Sequence, residues 1–370
     1  MKGWHYFKLS ILCIMTYTLL GASCLPKEIL KANGFFTGQQ FNSTVDHPLA
    51  KDIIENPNSQ GVKDFITKYQ EQKLNTSTLA IISKEYSNDV ATFYFLQELY
   101  KDRLNRFCQD LYHKIVSSLD SSIYKSFESF HFVFVPGLGY KEDTTTGADF
   151  SRQRKLLDQN GVSNELIETE EWGLSDDNAL IIAERLKLIN AKYSNILVVS
   201  ASKGGLETAL ALSELLNTNE ISNLISWVNV GGILKGSPIA DNYLKAPKCW
   251  FAQFMLWTKG KNIEIVKDLS YKKRSLEFEK LNIPKTINVI NFLGIPLATQ
   301  INKEIKSRYC SMLELGPNDG LTPIADEITK NGYVISELGL DHYYRDELID
   351  KKTLALAYVA IKLEEKKREK

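Results

Sequence analysis

The chain has 370 residues, 44% of them apolar, enough for a large core and more than one domain's worth of structure. Its 45 Lys and Arg are matched by 45 Asp and Glu, so the formal net charge is zero and no nucleic-acid partner is expected. Five cysteines without a CxxC or Cys/His cluster speak against zinc, and nothing calls for a cofactor.

The amino terminus, "MKGWHYFKLSILCIMTYTLLGASC", places Lys2 and Lys8 before an apolar run over residues 9–20, followed by Gly21, Ala22, Ser23 and Cys24. That is the three-part layout of an export signal, with an apolar run too short to span a bilayer comfortably. Its end, "LLGASC", resembles a bacterial lipobox, although Gly21 stands where leucine is usual. The resemblance implies a signal peptide over 1–23, lipid on Cys24 and an exported lipoprotein anchored to a membrane of the bacterial cell envelope. A soluble secreted protein cut near Ala22 is the alternative. Cys108, Cys249 and Cys310 then remain, enough for at most one disulfide.

Residues 24–60 are polar, with "NGFFTG" and "NPNSQG" reading as turns, and are expected to form an irregular tether. Over 61–128 apolar residues recur at helical spacing, which predicts a helical extension packed as a collar on the rest of the chain rather than a partner-docking domain. The period then changes. "HFVFVPGLGY" is a buried-strand run, "RQRKLLDQNG" a helix, "ELIETE" a strand and "DDNALIIAERLKLINAK" a helix capped by Asp176 or Asp177. "NILVVSAS", "LISWVNVGGIL", "TINVINFLGIPL" and "GYVISELGL" are further strands, "GGLETALALSELL" lies between them as a helix, and "TLALAYVAIKLEEKK" closes the chain. This alternation predicts one α/β domain over 129–367, a mainly parallel sheet covered by helices on both faces, with ligands at the carboxyl ends of its strands. Between 245 and 280 the alternation breaks at "APKCWFAQFMLWTKG". The aromatic residues there form either a cap whose apolar underside faces an acyl chain or a helix–sheet contact.

In "SASKGG" a strand turns into a helix at two serines. The strand-to-helix elbow that exposes a nucleophile is usually G-x-S-x-G, because residues two before and two after the serine crowd each other. Centred on Ser202, the frame has Ser200 before and Gly204 after. Centred on Ser200, it has Val198 and Ser202, which is sterically worse. Ser202 is therefore the candidate nucleophile. It needs a base, and the base needs an orienting acid. Of five histidines, His5 lies in the leader, His47 and His113 precede the sheet, and His131 starts a strand at the end away from the rim. His342, in "GLDHYYRD" after the last strand, is left. Asp319, in the turn "GPNDGLTP", is the candidate acid, with Asp326 and Asp341 as fallbacks. Acyl transfer also needs backbone N–H groups aimed at the developing oxyanion; Lys203, after the nucleophile, and Leu138, in "VPGLG", are the candidates.

Together "FVFVPGLGY", "VVSASKGG", "NVGGILKGSPIAD", "GPNDGLTP" and "LDHYY" resemble the successive landmarks of α/β-hydrolase lipases, most of all the bacterial triacylglycerol lipase group, over roughly residues 130–365. The resemblance implies an α/β-hydrolase fold, an ester or lipid substrate, and Ser202, Asp319 and His342 as nucleophile, acid and base, with Leu138 and Lys203 as oxyanion donors. Pro136 departs from the usual histidine and Ser200 from the first elbow glycine. Tyr344 stands where members often place a calcium-binding aspartate, so no metal is expected. "KGSPIAD" leads into the cap and is expected to wall the pocket. A non-catalytic hydrolase scaffold that binds a partner through its rim is the reading that Pro136 and Ser200 leave open.

Overall fold

A computed structural model describes residues 26, 28–118, 121–143 and 146–368. The expected export signal and the expected lipidation at Cys24 lie outside the described residues.

The expected irregular tether contains regular structure. A hairpin pairs β1 (Leu30–Phe36) with β2 (Gln39–Val45), and the helices begin at α1 (Pro48–Glu55), well before residue 61. Phe36, Phe41 and Val45 face a core and their neighbours face water, the alternation of a half-buried ribbon. α1 starts at Pro48 with the His47 ring accepting the Leu49 N–H (3.0 Å), which accounts for that histidine. The helices α2 (Gln60–Tyr69), α3 (Thr76–Glu85), α4 (Asn88–Leu99) and α5 (Arg103–Ser118) come next. The hairpin and α1–α4 share a core with Leu293, Ile295 and Val334 of the main sheet.

That sheet has six parallel strands: β3 (His131–Val135), β4 (Asn164–Leu166), β5 (Ile196–Ala201), β6 (Leu224–Val230), β7 (Asn288–Ile295) and β8 (Tyr333–Leu338), in the order β4-β3-β5-β6-β7-β8. Strand alternation divides its side chains between two cores. Val133, Val135, Val198 and Trp227 pack under α7 (Ser175–Asn190) and α8 (Lys203–Leu210). Phe132, Phe134, Val199 and Phe292 pack under α5, α6 (Ser151–Gln159) and the carboxyl-terminal α14 (Ile349–Arg368), and the short α13 (Lys306–Ser311) lies between β7 and β8 in the chain. The chain leaves β3 toward β4 on one side and returns to β5 on the other, so a topological switch point opens between the carboxyl ends of β3 and β5.

α5 closes the β8 edge. Asn105 Oδ1 accepts the Val334 N–H (3.0 Å), while Gln109 accepts from the Ser336 N–H and donates to its carbonyl (both 2.9 Å). The extension is a collar that completes an edge strand's hydrogen bonds with side-chain amides.

Two local expectations differ. α7 begins at Ser175, with Leu174 at the cap position, and Asp176 and Asp177 fall in its first turn. The Ser175 N–H is capped instead by Asp268, 93 residues away, at 2.8 Å. Among the described residues Cys108 and Cys249 are free thiols, so the one bridge allowed by the sequence does not join these two.

Between β6 and β7 lie α9 (Pro238–Tyr243), α10 (Lys248–Thr258), α11 (Glu264–Asp268) and α12 (Tyr271–Phe278). Ile265, Leu269 and Phe278 pack into the sheet's core, but α10 buries no residue. Its aromatic side chains fill no helix–sheet contact; they stand in solvent.

Candidate functional site

β5 ends at Ala201 and α8 starts at Lys203, leaving Ser202 alone to make the turn at φ 53° and ψ −120°. This is a conformation that a non-glycine residue holds only when its surroundings impose it. They do so through three backbone bonds: Ser202 N–H to the Val230 carbonyl (3.0 Å), and the Ser202 carbonyl from the Gly205 (3.0 Å) and Ile233 (3.2 Å) N–H groups. A Cβ on Gly204 would sit 2.4 Å from the Pro136 carbonyl oxygen, and one on Gly205 would sit 2.3 Å from Asn229 Oδ1. Both elbow glycines are therefore required by close approach of their neighbours.

Ser200, in the first elbow slot, is fully buried and accepts the Trp227 indole N–H at 2.8 Å. Its departure from glycine serves the core. Ser200→Ala should lower unfolding free energy by about 1–3 kcal/mol, because the indole donor would be left unpaired; urea unfolding checks this, with ester turnover expected within a few-fold of wild type.

The Lys203 side chain turns away from the rim into the core and pairs with Glu207 one turn on. Burial raises the Glu207 pKa to about 7 against the pull of Lys203. Asn178 of α7 also donates to Glu207 (2.7 Å), so the pair locks α7 to α8. The lysine in "SASKGG" is structural in its side chain and available to chemistry only through its backbone.

Above the elbow, the loops after β7 and β8 converge. Ser202 Oγ lies 2.9 Å from His342 Nε2, and His342 Nδ1 lies 2.5 Å from Asp319 Oδ2. The His342 N–H also donates to the Asp319 carbonyl (3.0 Å), tying the two loops together. Asp319 is wholly buried, and its Oδ1 accepts the N–H groups of Leu321 and Thr322, both at 2.8 Å. That fixes the carboxylate so that Oδ2 faces the imidazole. The proton therefore belongs on Nδ1, leaving Nε2 to accept the serine hydroxyl.

The Lys203 N–H is the first of α8, where no intrahelical acceptor exists. The loop after β3 lies against the elbow, since a Cβ on Gly137 would be 3.5 Å from Ser202 Cβ. Leu138 is next in that loop, and among the described residues its N–H enters no backbone hydrogen bond.

"KGSPIAD" braces the acid turn. Ser237 Oγ donates to the Leu321 carbonyl (2.5 Å), Thr322 Oγ1 donates to the Gly236 carbonyl (3.3 Å), and Lys235 pairs with Asp326 (2.9 Å). Asp326 also accepts from Tyr271 (2.8 Å), and Asp341 accepts the Tyr343 N–H (2.9 Å), so both fallback acids are engaged elsewhere. His113 hydrogen-bonds Gln109, and burial lowers its pKa to about 4. His131 stacks on Tyr193 with ring centroids 3.6 Å apart. Tyr344 donates to the Phe292 carbonyl (2.8 Å), accepts the Gly294 N–H (2.9 Å) and packs under Gly231. Among the described residues, no group of three or more His, Cys, Asp or Glu side chains could hold a metal.

Glu327 carries no motif that marks it in the sequence. It is wholly buried and no protein donor reaches either carboxyl oxygen. Burial, with the charges of Asp319 and Asp326, holds its pKa well above the usual carboxylate range. Two adjacent buried carboxyls cannot both ionise. Asp319 has the three donors, so the proton stays on Glu327. The folded state thus binds a proton that the unfolded chain releases above the ordinary glutamate pKa, and stability declines as pH rises from there. Glu327→Gln keeps a donor without the ionisation. Its stability should fall less steeply between pH 5 and pH 8, by up to about 1.4 kcal/mol per pH unit, in paired denaturant titrations. Glu327→Leu should instead lower kcat and shift the pH–rate profile, with Glu327→Gln restoring both.

No family model and no curated protein sequence matches the chain. Solved structures do. A metagenomic carboxyl esterase is similar over 65% of this chain and 76% of its own, with 21% identity and a TM-score of 0.50. A Bacillus licheniformis lipase in its mature form is 19% identical over 59% of this chain and 86% of its own, with a TM-score of 0.47. The sheet, its switch point and the esterase likeness give the class: the chain has an α/β-hydrolase fold.

Proposed function

We infer that the protein is an exported, membrane-anchored serine hydrolase that cleaves carboxylic esters through an acyl-enzyme. The observation that carries the reading is the unbroken relay from Ser202 Oγ through His342 to Asp319 at a strained elbow beside the switch point. His342 Nε2 takes the Ser202 proton as Oγ adds to the ester carbonyl, and the Lys203 and Leu138 amides receive the oxyanion. The imidazolium, stabilised by Asp319, protonates the leaving alcohol; the same nitrogen then activates water to release the acid. A transferase passing the acyl group to a second alcohol would use the same residues.

A fluorophosphonate probe should label the protein on Ser202, and turnover of chromogenic esters of graded acyl length should define the acyl preference. Absence of labelling, with the protein folded, would favour the partner-binding scaffold instead. The export signal supports envelope localisation with lipid on Cys24. Mass spectrometry of the mature amino terminus after reduction should find a diacylglyceryl-sized increment on Cys24, and an unmodified cysteine there would point to the secreted form.

A further inference from the structure

α10 is amphipathic in the unusual sense. Its partly covered side is Cys249, Ala252 and Leu256, spaced i, i+3, i+7, while the side turned to solvent carries Trp250 (69% exposed), Phe251 (68%), Phe254 (57%) and Trp257 (71%). An aromatic face of that size left in water is unfavourable unless something covers it. No aspartate or glutamate occurs between residues 242 and 263, whereas Lys245, Lys248, Lys259 and Lys261 flank the aromatic stretch on both sides. The segment just past the helix is fastened to the rim: Lys261 pairs at 2.8 Å with Glu142, on the loop after β3, and lies over the Trp172 ring.

We propose that α10 is an interfacial helix that docks the catalytic rim on an anionic lipid bilayer, its aromatic rings at the headgroup boundary and Lys245 and Lys259 beside it on acidic headgroups. Among the described residues no helix is long and apolar enough to cross a membrane. Eleven residues rise only about 16 Å, so α10 lies along the surface rather than through it. Tryptophan and lysine are the pairing that such surfaces select: the indole sits at the headgroup level and the lysine stem reaches past it. A second copy fits less well, because a two-fold contact sets Lys245 and Lys259 against themselves, and residues 242–263 carry no acid of their own. A protein partner fits less well because lysine is depleted where aromatic anchors mark a protein interface.

The test uses the full chain with vesicles containing brominated lipids, reading tryptophan emission. Bromine quenches an indole only at short range, so the readout reports lipid contact with no turnover and can fail or succeed independently of the hydrolase reading. With vesicles containing phosphatidylglycerol, quenching and a blue shift are expected. Both should weaken at high salt, and co-sedimentation with the same vesicles should be lost in the Trp250→Ser/Trp257→Ser variant, whose turnover of a soluble ester stays within a few-fold of wild type. Vesicle co-sedimentation that persists in the variant, or no quenching in the native chain, overturns the proposal. So does a lipid-free dimer in sedimentation that the same two substitutions dissolve, because that outcome assigns the face to a second copy.

Discussion

Ser202→Ala is expected to reduce turnover of a chromogenic ester by roughly 10⁵–10⁶-fold, with KM changed only a few-fold. The loss is confined to chemistry because the substitution removes one oxygen and little else. The three backbone bonds that impose the positive φ at this position do not involve Oγ. Alanine tolerates that backbone about as well as serine, so the thermal midpoint should move little. The amide donors at Lys203 and Leu138 persist, and the residual rate above water measures what they contribute alone. A variant retaining more than a few per cent of wild-type turnover would remove Ser202 as the nucleophile.

Asp319→Asn should cost roughly 10⁴-fold in kcat, again with KM nearly unchanged. The reason lies in the two N–H groups of Leu321 and Thr322. They hold an acceptor at the Oδ1 position, so an asparagine must keep its carbonyl there and turn its NH₂ toward His342 Nδ1. The imidazole then carries its proton on Nε2 and cannot accept from Ser202. A kcat within tenfold of wild type would mean that His342 is oriented by some other group. Structure of the variant, or imidazole nitrogen chemical shifts, would show the tautomer directly.

Much of the candidate site is legible in the sequence because its steric demands are local. The crowding around an elbow serine is set within five residues, which is why "SASKGG" singles out Ser202, with Gly204 where the chain passes close to Pro136. Elimination reaches His342 because histidines are few: three precede the sheet, and the strands set His131 and His342 at opposite ends of it. What stays hidden depends on partners distant in sequence. Glu327 looks like any acid in a short helical turn until the fold buries it against Asp319. The α7 cap comes from Asp268, in an element near no sequence neighbour of Ser175. The β1–β2 hairpin reads as loop because Lys31, Asn33, Gln39, Gln40 and Asn42 fill most of its exposed positions, and Phe35 among them blurs the alternation. For α10 the composition is plain, but composition does not say which side a helix turns to its own protein.

The amide ladder from Asn105 and Gln109 on β8 also constrains how the molecule can be taken apart. A shortened chain beginning at the sheet would keep every residue of the relay yet uncover a row of unanswered peptide groups along its outermost strand. Such a rim templates the strand of a neighbouring copy, and fibrous or gelled aggregates would be the natural product. The amino-terminal third therefore safeguards solubility without contributing a single reacting atom, and trimming experiments meant to isolate a minimal enzyme should begin by grafting a substitute for those two side chains.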